Sequence, residues 1–456
     1  MAGIGFELRR ILKPNSLISM AKVYGYSAIL SSGPWVISIV AIIFVGFINL
    51  ATTKQAGDTV AFQVVITYAI ALASSMTITG FVQLPFTRFL ADEIFGKRED
   101  EVLPAYLGVL MMVWIAGFVL ILPLVLYVFY DQSDLFILIA ITTYMALSGV
   151  WISNIIAASL KYYNSVVLAY LFAYAMIVIL SFFFGKSLEI LTLIFCAGNV
   201  LLLIVLMLLI IKRYESKRLI SLKFFGKNFY WSLGFAGFFY TIGAWVDKFI
   251  FWFHPLTGYN VIGRLNASVL YDIPIFVAYL SILPGMAVFF FRLESDFAEK
   301  YEFFYDAVRD GGTLAMIRRY RNEMSEVVRH AIREIVVIQG IMNIFLFLYA
   351  PQLFNFMHIP QLYLGLFFVL TVGAQLQLGF MSVMAILYYL DRRHQAMWLS
   401  IGFFVLNTTL TLLSIEMGPT FFGYGYAVSL LIMFTISVWV IRNELKELDY
   451  ETFMLR

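Results

Sequence analysis

The sequence predicts an all-α membrane protein with twelve transmembrane helices in two pseudo-symmetric six-helix lobes. Three observations carry that prediction. Of the 456 residues, 62% are hydrophobic and 13% charged, about half the ~25% charge of soluble domains. Apolar runs matching a ~30 Å bilayer core, which takes ~20 helical residues, recur twelve times along the chain. Landmarks of the first two runs return in the seventh and eighth.

The chain opens with a basic segment, 1–25, carrying Arg9, Arg10, Lys13 and Lys22. Ile4, Leu8, Ile11 and Leu12 share one helical face, the pattern of an interfacial amphipathic helix; a short aqueous helix without lipid contact is the alternative. The first apolar run is longer than a signal-peptide core of about 7–15 residues, so no cleavable signal is expected. The N-lobe, 26–211, holds spans at roughly 26–50, 61–86, 103–130, 134–158, 165–184 and 189–211. A basic linker, 212–228, follows. The C-lobe, 229–442, holds spans at 229–253, 267–291, 334–351, 361–389, 395–415 and 421–442, and a tail runs from 443 to 456. The charged loop 292–333 interrupts the C-lobe, and its pattern predicts two amphipathic helices around Gly311-Gly312.

Charge sets the orientation, because cytoplasmic loops are enriched in Lys and Arg. With the N-terminus inside, Lys54, Lys186 and Arg264 fall outside, Lys248 falls within the membrane, and the other 27 of 31 basic residues fall inside. So one-sided a distribution requires an even number of spans and places both termini in the cytoplasm. The outer face carries Asp58, Asp131, Asp134, Glu189, Asp272 and Glu416. That excess of acids suits a cationic substrate, or is what remains once bases are excluded.

The repeat is read from two registers. Ser32-Gly33-Pro34-Trp35-Val36 aligns with Ile242-Gly243-Ala244-Trp245-Val246 at an offset of 210. Leu84-Pro85, followed by Arg88 and Asp92, aligns with Leu283-Pro284, followed by Arg292 and Asp296, at offsets of 199 to 204. Two six-span halves of equal orientation are a transporter architecture, with substrate passing between the lobes.

Candidate path residues lie at polar positions in these spans. Asp247 and Lys248 interrupt the seventh run, where each charge costs ~2.5–3.5 kcal/mol on insertion scales. Thr241, Trp245 and Lys248 share one helical face and Asp247 the adjacent one, so the two charges are not expected simply to pair with each other, and at least one should find another partner or water. They read as a wet site that contacts substrate or carries a proton, or as an interhelical ion pair, with Lys248 alternatively snorkelling outward. Ser31, Ser32, Pro34 and Trp35 mark a kinkable point in the first span, either a gate or a small-residue packing seam. Ser75, Thr79 and Gln83 make a polar stripe at i, i+4 and i+8. With Trp35 and Trp245 nearby it suits a sugar chain, or hydrogen-bonds other helices. Asp272 opens the eighth span and is a candidate partner for Lys248 or Arg264. Gln375 and Gln377, between Gly373 and Gly379, pack or line. Arg318, Arg319 and Arg321 in the long loop, with Lys217 and Arg218 in the linker, form basic groups suited to docking a partner protein or anionic lipid.

Several chemistries lack their residues. One cysteine, Cys196, excludes an intrachain disulfide, and four scattered histidines show no zinc-ligand spacing, so no metal is expected. No Walker A motif is present, no nucleophile-base arrangement is evident, and neither a cofactor nor a nucleic-acid partner is expected.

Met1-Ala2-Gly3-Ile4-Gly5-Phe6-Glu7-Leu8-Arg9-Arg10 and Ser31-Ser32-Gly33-Pro34-Trp35 resemble the N-terminal region of the PelG family. These are inner-membrane transporters of the Pel exopolysaccharide system, within the multidrug/oligosaccharidyl-lipid/polysaccharide flippase-like exporters. Length and span plan fit along the whole chain. The resemblance implies a bacterial inner-membrane location and export, for biofilm matrix, of Pel, a galactosamine and N-acetylgalactosamine polymer. It also implies a cytosolic Pel glycosyltransferase as partner and two further inner-membrane Pel proteins, one a cyclic di-GMP receptor. It assigns no catalytic residue. A lipid-linked oligosaccharide or drug flippase of the same fold, or a membrane enzyme modifying polysaccharide, are the competing readings. The drive is open between polymerisation pushing the chain and ion coupling through Asp247.

Overall fold

A computed structural model describes residues 17–52, 56–71, 75–159, 163–226, 229–357 and 359–454. Residues 1–16, most of the expected interfacial segment, lie outside the described residues. The chain forms two compact units: Pro34–Ser268, the N-unit, and the residues up to Gly33 together with Val269–Arg456, the C-unit. The units are not divided at the 212–228 linker. The seventh span belongs to the N-unit, and the start of the first span belongs to the C-unit.

Helix α1 (Leu17–Thr52) contains the boundary, at Gly33-Pro34. The rest of the N-unit is α2 (Ala56–Ala71), α3 (Ser75–Phe95), α4 (Val102–Val128), α5 (Asp134–Ser159), α6 (Tyr163–Phe184), α7 (Leu188–Arg213) and α8 (Trp231–Phe253). Ser187 caps α7 by accepting from the Ile190 amide, which satisfies one of the donors a helix start leaves open. Among the described residues, three apolar clusters build the core of the N-unit. Phe62, Tyr174 and Phe195 join α2, α6 and α7. Phe86, Tyr106 and Phe224 join α3 and α4 to the linker. Tyr68, Tyr144 and Trp252 join α2, α5 and α8.

The α3–α8 contact explains why the seventh span sits here. A Cβ on Gly237 would lie 2.2 Å from the Gly80 carbonyl oxygen, and one on Gly80 would lie 2.9 Å from the Thr241 hydroxyl. Only glycine lets these backbones approach so closely, the small-residue seam of membrane helices.

One departure from an all-helical reading follows α8. Strands β1 (Tyr259–Ile262) and β2 (Leu265–Ala267) form an antiparallel ribbon pairing Tyr259 with Ala267 and Asn260 with Asn266. Gly263 turns it with φ +52, and a Cβ there would lie 2.3 Å from the Val128 carbonyl. The Arg264 amide donates to that carbonyl, and its guanidinium stacks 3.9 Å from the Tyr127 ring centroid. The ribbon is thereby clamped to the end of α4.

In the C-unit, α9 (Val269–Leu280) and α10 (Leu283–Phe291) form one apolar run broken by a 42° bend. A π-helical turn at Arg292–Phe297 leads into α11 (Ala298–Arg309). Then come α12 (Leu314–Phe356), α13 (Leu364–Tyr389), α14 (Arg393–Glu416) and α15 (Tyr424–Met454). The 292–333 loop thus forms a hairpin of two helices around Gly311-Gly312, where Gly311 has φ +73. Thr313 caps α12 by accepting from the Met316 amide.

The second apolar run, 61–86, covers parts of α2 and α3, the eighth covers the bent α9–α10 pair, and the other ten each overlap one α-helix. Among the described residues, eight helices are long and apolar enough to cross a membrane, or nine if the bent α9–α10 pair counts as one span. Helix α8 is not among them, because Asp247, Lys248, the tryptophans and the glycines lower its mean hydropathy.

Candidate functional site

The polar residues singled out in the sequence divide between the units. Pro34, Trp35, Ser75, Thr79, Gln83, Thr241, Trp245, Asp247 and Lys248 lie in the N-unit; Ser31, Ser32 and Asp272 lie in the C-unit. The side chains of Ser31, Ser32, Trp35 and Ser75 lie outside the described residues.

The charged pair is buried, and the two side chains meet directly, contrary to the expectation that they would not simply pair, while Lys248 also finds a further partner as expected. Lys248 Nζ lies 3.1 Å from Asp247 Oδ2, and it donates to the Ala244 carbonyl at 2.9 Å. The adjacent Cβ atoms diverge around the helix, but the four-carbon lysine stem bends back along it to the previous turn. The ammonium lies 5.7 Å from the Trp245 ring centroid. Trp245 continues into a cluster with Phe249 and Trp252, and Trp252 stacks on Tyr68 at 4.4 Å. A buried cation is thus neutralised by a carboxylate, a carbonyl and a ring face, which offsets the desolvation that makes such charges rare.

Around this pair the other N-unit candidates take different roles. Thr241 donates to the Gly237 carbonyl at 2.8 Å and meets Gly80; it is a packing residue of the α3–α8 seam. Thr79 is buried, and its hydroxyl finds no partner among the described residues. Gln83 is half-buried one turn further along α3. Pro34 is half-buried, and Ser38 donates to its carbonyl at 2.8 Å.

The C-unit holds a polar set that the sequence reading only touched. Gln339, fully buried on α12, donates to the Ser281 carbonyl at 2.9 Å and to Asn343 Oδ1 at 3.0 Å. Asn343 donates to Gln375 Oε1 at 2.6 Å. The amide chain therefore starts at the α9–α10 break, where a helix without such a partner would leave backbone groups unsatisfied. Nearby, Tyr426 donates to Gln377 Oε1 at 2.5 Å and lies 3.5 Å from the Tyr279 hydroxyl. Gln375, Gln377, Tyr279 and Asp272 are all half-exposed. Amides offer donor and acceptor together, as sugar hydroxyls and amides do. Gln339 and Asn343 were readable in sequence as amides at i and i+4 inside an apolar run.

The repeat reappears as chemistry at the helix ends. In the N-unit, Arg88 pairs with Asp92 at 3.3 Å, and Tyr230, just before α8, donates to Asp92 at 2.6 Å. In the C-unit, Arg292 bridges Asp296 and Glu334, and Tyr24, near the start of α1, donates to Glu334 at 2.9 Å. The basic groups expected to dock a partner are largely engaged within the chain. Arg321 binds Asp449 at 2.7 Å, tying α12 to α15; Arg318 lies 4.0 Å from Asp449; Arg319 pairs with Glu323; Arg218 pairs with Glu101. Lys217 is exposed. Three carboxyls outside the spans depart from their usual range, Glu93 being held low by its hydrogen bond from Arg98. Hydrogen bonds from Lys300 and Arg319 hold Glu323 low, whereas burial pushes Glu294 up against the lowering hydrogen bond from Tyr389. Among the described residues no group of His, Cys, Asp and Glu is arranged to hold a metal.

The fold is that of a membrane transporter. A solved MATE structure in complex with MaD5 superposes with a TM-score of 0.63 at 13% identity, covering 93% of this chain and 96% of that one. A MOP superfamily transporter from Pyrococcus furiosus gives 0.62 at 12% identity over 93% and 96%. An inward-facing MATE family transporter gives 0.56 at 15% identity over 92% and 95%. A search of the curated proteins finds no match. Residues 1–453 match the family model PelG, described as "Putative exopolysaccharide Exporter (EPS-E)". The chain belongs to the PelG family; it is a multi-pass membrane exporter and not an enzyme.

Proposed function

We propose that this chain exports Pel, a galactosamine and N-acetylgalactosamine polymer, from cytoplasm to periplasm across the bacterial inner membrane. The family match over residues 1–453 carries this reading. The polymer is made by a cytosolic glycosyltransferase and is drawn along half-exposed polar groups of each unit: Gln83 and Trp245 in the N-unit, Asp272, Tyr279 and Gln377 in the C-unit. Their amides, hydroxyls and aromatic faces suit a neutral or cationic amino-sugar chain. The direct contact between Asp247 and Lys248 supports a structural role for these charges and polymerisation as the drive. Both termini and the α11–α12 hairpin lie on the cytoplasmic side, where the exposed Arg318 and Arg319 meet the synthase and the other Pel proteins, including a cyclic di-GMP receptor. The test is a chromosomal deletion. Cells lacking this chain retain Pel inside, detected with a lectin specific for N-acetylgalactosamine, and complementation restores surface polymer. Unchanged surface polymer in the deletion refutes the reading.

A second reading, a drug or lipid-linked oligosaccharide flippase, is favoured by the MATE likeness alone. Drug susceptibility of the same deletion separates the two.

A further inference from the structure

The C-unit contains a cavity of about 440 Å³ lined by Arg292, Asp296, His330, Arg333, Glu334 and two valines, Val327 and Val337. Arg292 is occupied by Asp296 and Glu334. Arg333 and His330 are exposed and make no ion pair or hydrogen bond among the described residues. One cavity thus offers unengaged nitrogen donors from α12 beside two carboxylates that accept.

The surface continuing from the mouth identifies the occupant. Along α12, His330, Arg333, Val337, Ile341, Ile344 and Leu348 recur at spacings of three and four, so they follow one face. The last four are apolar and between 51% and 65% exposed. Val337 to Leu348 spans ~16 Å at 1.5 Å per residue, about half of a ~30 Å apolar core. A polar pocket joined to an apolar track one leaflet long fits an amphiphile rather than a free anion.

We propose that this cavity binds the head group of a membrane phospholipid whose head carries hydrogen-bond donors beside its phosphate, as phosphatidylethanolamine and phosphatidylglycerol do. The phosphate accepts from Arg333 and His330, the ammonium or glycerol hydroxyls donate to Asp296 and Glu334, and an acyl chain lies along Val337 to Leu348. Phosphatidylcholine offers the same phosphate but no N–H or O–H donor. The site needs only that the chain spans a membrane, so it stands or falls apart from Pel export.

The test is lipid titration of the full-length purified protein by native mass spectrometry, with each phospholipid added singly. Phosphatidylethanolamine and phosphatidylglycerol bind more tightly than phosphatidylcholine of the same acyl length. Arg333→Gln weakens them about fivefold, the effect of one basic side chain near a membrane surface. Val337→Trp, which narrows the mouth at an exposed position, weakens them as well. Arg329→Gln, exposed one turn away and outside the cavity, leaves binding unchanged. Equal binding of phosphatidylcholine, wild-type affinity in Arg333→Gln, or an equal loss in Arg329→Gln overturns the proposal. Displacement of the lipid by millimolar inorganic phosphate assigns the site to a free anion and overturns it too.

Discussion

Removing one member of the buried charge pair on α8 should unfold the N-unit more readily than removing both. Asp247 is fully buried and Lys248 nearly so, with 3.1 Å between ammonium and carboxylate. That places the pair outside the exposed regime of ~0–1 kcal/mol and in the buried regime, where loss of one partner costs ~3–5 kcal/mol because the other charge stays desolvated. Lys248→Met takes away the cation beside Asp247, and Asp247→Asn takes away the anion beside Lys248. The double variant leaves no uncompensated charge and should recover most of the loss, since neutral replacement of a buried pair is often tolerated. The assay is the apparent unfolding midpoint in one detergent, followed by size-exclusion fluorescence across wild type, both single variants and the double variant. Surface polymer is measured in parallel. Single variants as stable as wild type, or a double variant less stable than either, would refute the structural pairing. A stable double variant that no longer exports would return the pair to the translocation path.

Three further outcomes follow from packing and charge. Gly237→Ala should abolish most folded protein, because its Cβ would lie 2.2 Å from the Gly80 carbonyl in a backbone-to-backbone contact; normal expression of a monodisperse protein contradicts that seam. Gln339→Leu should cost ~1–3 kcal/mol by stripping a buried amide from the Ser281 carbonyl and from Asn343, read as a lower midpoint and faster hydrogen exchange at 280–285. Glu294→Gln should stabilise the C-unit at neutral pH. Burial raises the native pKa of Glu294, so its stability contribution is fully present below its unfolded value of about 4.3 and is lost as pH rises through the native value. The gain from glutamine therefore shrinks on acidification, and a gain independent of pH contradicts the cause.

Helix positions were largely legible because apolar runs are long and their polar interruptions few. The ribbon at 259–267 was not, since its few residues carry Asn, Gly and Arg and are held by contacts with α4 and α2 rather than by strand propensity. The presence of two charges in α8 was plain, but their pairing was not. Helical spacing fixes Cβ directions, while a lysine stem reaches back across them. The placement of the seventh span with the second was hidden because it depends on Gly80 and Gly237, which are distant in sequence and ordinary in composition. The Tyr-Arg-carboxylate sets at Arg88 and Arg292 were half visible. Their Arg and Asp positions stood in the repeat, but Tyr24 and Tyr230 emerged only from the packing.

The most direct measurement of the central claim is polymer translocation by the purified chain. Proteoliposomes holding this protein with a Pel glycosyltransferase are supplied with activated N-acetylgalactosamine, the enzyme facing outward. Polymer protected from added glycosidase inside the vesicles, and lost when this chain is omitted, is the predicted result. Polymer that stays fully digestible outside, with both proteins folded and synthesis active, would contradict export by this chain.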